Sequence, residues 1–249
     1  YESDTWTSKD VTIKLSSTAY SGIYRYYYSV NGSDWTEIDG DTITVKNQGE
    51  WNYKFKAVSY ADNETVTQND FKVKIDKTEP VVRVDFEGTF GRWSADGVQF
   101  SMSILNQAIS GVRYYYSTDG GKSWIQAEEG SIIAIDEDVD ASYIFKAING
   151  AGVESNVSDS YRIMIDTKKP TLEYTLETEE KTDKPYNVLF NVNTGRSGLK
   201  SVSVNGKDIT GEKSFEVSDN GRYVIVMTAN NGLTSTEVIN VNNIIEPER

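Results

Sequence analysis

The chain has 249 residues, with 38 acidic against 25 basic side chains, a net charge of −13, and neither cysteine nor histidine. This balance argues against nucleic acid as a partner, because no basic track is present to release counterions. The missing residue types exclude disulfides, thiolate nucleophiles, imidazole bases and the ordinary zinc, copper or haem ligand sets.

Val11-Thr-Ile-Lys-Leu15 alternates apolar and polar side chains, as a strand with one buried face does. After the Ser21-Gly22 corner comes a strand over 24–30, turned at Asn31-Gly32, a pair that tolerates the positive φ of a tight hairpin. Trp35 opens the return strand, and Thr42–Val45, Trp51–Ala57 and Phe71–Ile75 supply three more. The last is expected at an edge, guarded by its outward lysines. Asp76-Lys-Thr-Glu-Pro80 reads as a linker, and Asp166-Thr-Lys-Lys-Pro170 has the same form ninety positions later.

The repeat is clearest in Ser110-Gly-Val-Arg-Tyr-Tyr-Tyr-Ser-Thr-Asp-Gly-Gly-Lys-Ser-Trp124. A copy lies 89 positions upstream at Ser21–Trp35, and a shorter one 87 positions downstream at Ser197–Gly206. Trp93–Phe100 echoes Trp6–Ile13, Tyr143–Ala147 echoes Tyr53–Ala57, and Asn149-Gly-Ala-Gly152 is matched to Asn231-Gly-Leu-Thr234. A period of this size is a whole small domain. Three modules are expected, at 1–78, 79–168 and 169–249. Val81–Asp85 and Thr171–Tyr174 open the second and third, while the first has no equivalent ahead of Trp6. Each module shows about seven short strands between Gly, Asn or Asp turns and no helical periodicity, which predicts an all-β sandwich.

These elements, Trp93, Ser110-Gly111, Tyr115-Tyr116-Ser117, Asp119-Gly120, Trp124, Tyr143–Ala147, Asn149–Gly152 and Ile165–Pro170, resemble the tandem bacterial Ig-like modules of exported and cell-surface proteins. The resemblance implies Ig-like or fibronectin-III-like domains arranged end to end, in an extracellular stalk or adhesin at the cell surface or wall. Its partner would be an unknown protein or glycan. Such modules serve as spacers, adhesive units and enzyme accessories alike, so the resemblance names no ligand. The abrupt start at Tyr1 and close at Arg249, without export or anchoring sequence, read as a segment of a longer chain.

Ser117–Trp124 also fits the Asp-box of sialidase propellers, a hairpin motif whose Asp accepts local hydrogen bonds while its Trp packs beneath the turn. One full box and one shortened copy do not make a propeller, and no catalytic residue is assigned. Alternation from the internal Val202 and Val204 turns Tyr26, Tyr28, Tyr114 and Tyr116 inward and Tyr27 and Tyr115 outward. With Trp35 and Trp124 nearby, Tyr27 and Tyr115 are the candidate contacts for a sugar ring or a partner protein, set against ordinary cross-strand pairing. Asp136-Glu-Asp-Val-Asp140 fails the calcium-loop pattern and reads as a solvated acidic turn. Asp76 with Glu79 is the pair from which a calcium clamp between modules would be built. No other cofactor or metal is expected. The function expected is a non-enzymatic spacer or adhesion segment; the alternative is a carbohydrate-binding accessory region of a secreted enzyme.

Overall fold

The computed structural model describes residues 1–245, all strand, turn and loop, with no helix among them. The last four positions of the third expected module, 246–249, lie outside the described residues. The first segment contains β1 (Trp6–Thr7), β2 (Val11–Lys14), β3 (Ile23–Val30), β4 (Thr36–Ile38), β5 (Thr42–Val45), β6 (Gly49–Ser59), β7 (Glu64–Val66) and β8 (Phe71–Ile75). They form one sheet in the order β1-β8-β6-β3-β4, with β7 also on β6, and a second sheet of β2 and β5 only.

The middle segment contains β9 (Val82–Glu87), β10 (Trp93–Ser94), β11 (Val98–Ile104), β12 (Val112–Ser117), β13 (Ile125–Ala127), β14 (Ile133–Ile135), β15 (Val139–Asn149) and β16 (Tyr161–Ile165). Its sheets are β10-β16-β15-β12-β13 and β14-β11-β9. The last segment contains β17 (Thr171–Leu176), β18 (Tyr186–Asn193), β19 (Leu199–Val204), β20 (Lys207–Asp208), β21 (Ser214–Val217), β22 (Gly221–Ala229) and β23 (Thr234–Val241), in sheets β20-β19-β22-β23 and β17-β18-β21.

Each pair of sheets encloses its own apolar core. Val11, Tyr53, Phe55, Val73 and Ile75 centre the first; Phe100, Tyr114, Phe145 and Ile163 the second; Val188, Val202, Ile225 and Met227 the third. Period-two burial explains the strands: along β15, Tyr143, Phe145, Ala147 and Asn149 are buried while the residues between them are less so. Burying one such large side chain contributes about 1.5–3 kcal/mol before entropy is counted. In the middle and last segments a three-stranded sheet packed against a five- or four-stranded one, with the chain crossing between sheets, gives the Ig-like and fibronectin-III-like sandwich that the resemblance implies.

The turns follow the expected chemistry. Asn31 and Gly32 have φ of 51° and 77°, and Asn205 and Gly206 have 48° and 81°, the doubly positive pair that matches strand twist in a two-residue hairpin. Each Asn also accepts a main-chain N–H from the long strand that pairs with the hairpin's first strand, Asn52 of β6 and Val224 of β22 respectively.

Two expectations are corrected. β8 is not an edge: β1 lies beside it in parallel, pairing Trp6 with Lys74, and β10 covers β16 in the same way. The β8 lysines instead make ion pairs, Lys72 and Lys74 with Asp4 at 3.2 and 2.7 Å. The acidic run is not one solvated turn either. Val139 and Asp140 already belong to β15, with Asp140 paired to Arg162, and Asp138 accepts both the N–H and hydroxyl of Thr167 in the second linker.

Candidate functional site

Tyr27 lies on β3 opposite Lys56 of β6, and Tyr115 on β12 opposite Lys146 of β15. Both tyrosines lie on the face away from the core, whereas Tyr114 is only 1% exposed. Trp35 and Trp124 come from the turns just ahead of β4 and β13 and lean over the same lysines. Lys56 Nζ is 4.9 Å from the Tyr27 ring centre and 5.3 Å from Trp35; Lys146 Nζ is 6.0 Å from Tyr115 and 4.6 Å from Trp124. Glu64 and Glu154 close the groups at 3.1 and 3.2 Å. The lysine side chains are only 15% and 14% exposed.

The structure thus brings each Tyr–Trp pair together, with a lysine stem and ammonium drawn over the rings. Alternation predicts the outward tyrosines but not the covering cation, since an outward lysine in a strand usually points into water. In the last segment the corresponding cross-strand row is Ser203, Val226 and Thr236, without aromatics. The hairpin after β12 behaves as its motif predicts. Asp119 accepts the N–H and hydroxyl of Ser123 and the hydroxyl of Ser117, bonds that hold its carboxyl far below the usual range.

The feature that sequence reasoning missed lies at the linkers. Asp76 and Asp166 are completely buried. Asp76 Oδ2 accepts the Ser110 N–H at 3.0 Å and the Ser110 hydroxyl at 2.6 Å, and its Oδ1 accepts the Thr78 N–H at 3.0 Å. Asp166 Oδ2 accepts the Ser197 N–H at 2.7 Å and Oδ1 that of Lys168 at 3.2 Å. The Ser197 Oγ faces the same carboxylate but is buried without a well-aligned hydrogen bond. Burial pushes both carboxyl pKa values up, yet the hydrogen bonds from these serines and from the residues two further along outweigh it, so both lie below the ordinary value.

An asparagine completes each joint. Asn149 Nδ2 donates to the Thr78 carbonyl at 2.8 Å and weakly to that of Asp76 at 3.5 Å; Asn231 Nδ2 donates to the Asp166 and Lys168 carbonyls at 2.6 and 2.9 Å. These asparagines are not equivalent positions, which corrects the matching of their two hairpins. The closing bonds pair Asn149 with Val153 and Ala229 with Leu233, so Ala229 corresponds to Asn149 and Asn231 arrives two residues later. Further bonds pin the first linker: Asn106 Nδ2 to the Glu79 carbonyl, Val81 N–H to Asn106 Oδ1, and Asn156 Nδ2 to Glu79 Oε1. Asp76 and Glu79 therefore face different partners. In the first segment Ser59 takes the place of Asn149. Its hydroxyl oxygen accepts the loop N–H groups of Ala61 and Asn63 as Asn149 Oδ1 accepts those of Ala151 and Val153, but it carries no amide for a linker.

The signal for these joints was present: Ile-Asp before each linker proline and Ser-Gly 34 and 31 positions after each Asp. A surface groove of about 690 Å³ runs along Tyr24–Tyr26 and Glu37–Asp41, where Arg25 pairs with Glu37 at 2.6 Å and stacks 4.3 Å over Tyr24.

No family model and no curated protein matches the chain. Among solved structures it is similar to the fibronectin(III)-like modules of Clostridium thermocellum CbhA, at 14% identity over 65% of this chain and 87% of that one, with a TM-score of 0.35. It is also similar to the three N-terminal domains of the bacteriophage RB49 highly immunogenic outer capsid protein, at 12% identity, 93% of each chain and a TM-score of 0.38. Chicken CNTN1 FN1–FN3 domains give 13% identity, 94% of each chain and 0.28. Likenesses this distant carry nothing about function.

Proposed function

We propose that this chain is a non-catalytic, extracellular spacer or adhesion segment, built of three modules at 1–78, 79–168 and 169–249 and set end to end by stiff linkers. The observation that carries this reading is the repeated joint. A buried carboxylate, a serine and an asparagine tie each linker to the module that follows, so the linker is part of the packed structure and not a free tether. A chain built this way holds its ends apart, which is what a spacer does mechanically. An extracellular location, at the cell surface or cell wall, is what the resemblance to bacterial Ig-like modules implies.

Small-angle scattering of residues 1–249 tests the proposal. An elongated particle with one well-defined maximum dimension supports it, and a compact globule sinks it. The accessory-domain reading would use Tyr27, Tyr115, Trp35 and Trp124 for sugar stacking. Lys56 and Lys146 already occupy those ring faces, which favours the spacer. Reproducible glycan-array binding lost in Tyr115→Ala or Trp124→Ala would reverse that preference.

A further inference from the structure

Each segment enters its long strand, β6, β15 or β22, through a three-residue turn: Lys46-Asn-Gln48, Asp136-Glu-Asp138 and Ser218-Asp-Asn220. Register makes the three turns equivalent. Gly49, Val139 and Gly221 face Ile75, Ile165 and Val241, and two residues on Trp51, Ala141 and Tyr223 face Val73, Ile163 and Ile239. In the first and last segments an aromatic side chain closes the turn. The Trp51 indole N–H donates to the Asn47 carbonyl at 3.2 Å and the Tyr223 hydroxyl to the Asp219 carbonyl at 3.0 Å, each four residues back, and both rings pack against their own cores. Ala141 has neither ring nor donor, so the Glu137 carbonyl at the matching place receives no such bond.

A cleft of about 390 Å³ lies at this turn, lined by the apolar Ile133, Ile135 and Val139, by Tyr116 and Tyr143, and by the acidic residues 136–138. The two tyrosine rings lie 6.2 Å apart and nearly parallel. Tyr143 is only 7% exposed, yet its hydroxyl has no hydrogen-bond partner among the described residues. Nor is that hydroxyl sealed in: among the described residues Ser197 Oγ is the one fully enclosed side-chain oxygen or nitrogen without a partner, so the Tyr143 oxygen opens into the cleft it lines. Asp136 and Glu137 are exposed and make no ion pair among the described residues, whereas Asp138 is held by Thr167 beside Lys168, and Arg162 is taken by Asp140. The first segment keeps a like tyrosine pair, Tyr28 and Tyr53 at 5.9 Å, but its turn carries Lys46 and no carboxylate.

We propose that the cleft of the middle segment binds an arylalkyl ammonium, an aromatic ring with an N–H or O–H donor joined by a short chain to a protonated amine. The ring takes the place that Trp51 and Tyr223 fill in the other two segments, and its donor reaches the Glu137 carbonyl as theirs reach Asn47 and Asp219. The amine answers the unpaired carboxylates of Asp136 and Glu137 and donates to the Tyr143 oxygen, beside aromatic rings that themselves favour a cation. A free amine and the N-terminal aromatic residue of a peptide present the same unit. The inference does not depend on the spacer reading, which rests on the joints.

The test is calorimetric titration of residues 1–249 with tryptamine, with tryptophol and with the tripeptide amide Trp-Gly-Gly, while the ring resonances of Tyr116 and Tyr143 are followed. Tryptamine should saturate one site and shift both tyrosine rings, and tryptophol, which keeps the indole but lacks the charge, should bind about tenfold or more weaker. The exposed double change Asp136→Asn/Glu137→Gln should weaken tryptamine by a similar factor and leave tryptophol unaltered. Ala141→Trp, which restores the aromatic residue of the first segment, should abolish binding of both. Equal binding of tryptamine and the tripeptide amide supports the shared unit, and a preference of about tenfold or more for either names its source. No saturable binding of either overturns the proposal, as does equal affinity for tryptophol or unchanged tryptamine affinity in Ala141→Trp or in the double variant.

Discussion

Replacing Asp76 by Ala removes three accepted hydrogen bonds at once, from the Ser110 N–H, the Ser110 hydroxyl and the Thr78 N–H. Bonds to a charged acceptor contribute about 1.5–3 kcal/mol each, but they are not additive and the carboxylate is dehydrated to make them. The larger part of the cost is the two N–H groups left facing a site where Asp76 is wholly buried. The expected loss is therefore about 2–4 kcal/mol, and it falls on the coupling between the first and middle segments, because the bonds lost run to Thr78 of the linker and Ser110 of the middle segment. A loss of about 3 kcal/mol raises the open-joint population roughly a hundredfold. Amide exchange reads it directly: Thr78, Ser110, Ala151 and Val153 should exchange up to about a hundredfold faster, with amides of the β6 and β15 cores little changed. Asp76→Asn, which keeps one oxygen acceptor but adds an amide hydrogen without a partner, should lie between wild type and Ala. Unaltered exchange at Thr78 and Ser110 in Asp76→Ala would refute the claim that this carboxylate holds the joint.

Acid should loosen both joints. The folded-state carboxyl pKa values of Asp76 and Asp166 are depressed below 3.8, so their stabilisation is complete above the unfolded value and is lost as pH falls through the lower folded value. Scattering followed downward from pH 5 should stay constant to about pH 4 and broaden below it, while Asp76→Asn/Asp166→Asn lacks that transition. Lys146→Ala should lower stability by about 1–2 kcal/mol in urea titration, through lost stem packing and the cation over Trp124, and Lys146→Met should restore the packing share only. Gly195→Ala places a methyl inside the van der Waals envelope of the Asp166 carboxylate, so a cost of about 1–3 kcal/mol is expected in the same assay, with faster exchange at Ser197.

Strands, hairpins and inward tyrosines were legible because they are local: period-two alternation fixes which face Tyr114 takes, and Asn31-Gly32 fixes its own turn. β1 was not, since two residues, Trp6 and Thr7, carry no periodicity and pair in parallel with a strand 68 positions away. The joints were hidden for a related reason. An Asp beside a linker proline reads as solvated, and its burial is decided by Ser110 and Asn149, 34 and 73 positions on. Repetition was the available clue, and it was partly misleading, because Asn149 and Asn231 reach like carbonyls from different hairpin positions. The candidate tyrosines and tryptophans were found by alternation and proximity to turns. Their covering lysines were not, because a long stem folding back onto rings leaves no mark in the alternation.

The central claim is that the linkers are rigid parts of the fold. Residual dipolar couplings on residues 1–249 in a dilute aligned medium test it most directly. The account predicts that amides of all three cores fit one alignment tensor of common magnitude and orientation, and that Asp76→Ala gives the first segment a tensor of its own. Three independent tensors in the unmodified chain would contradict it.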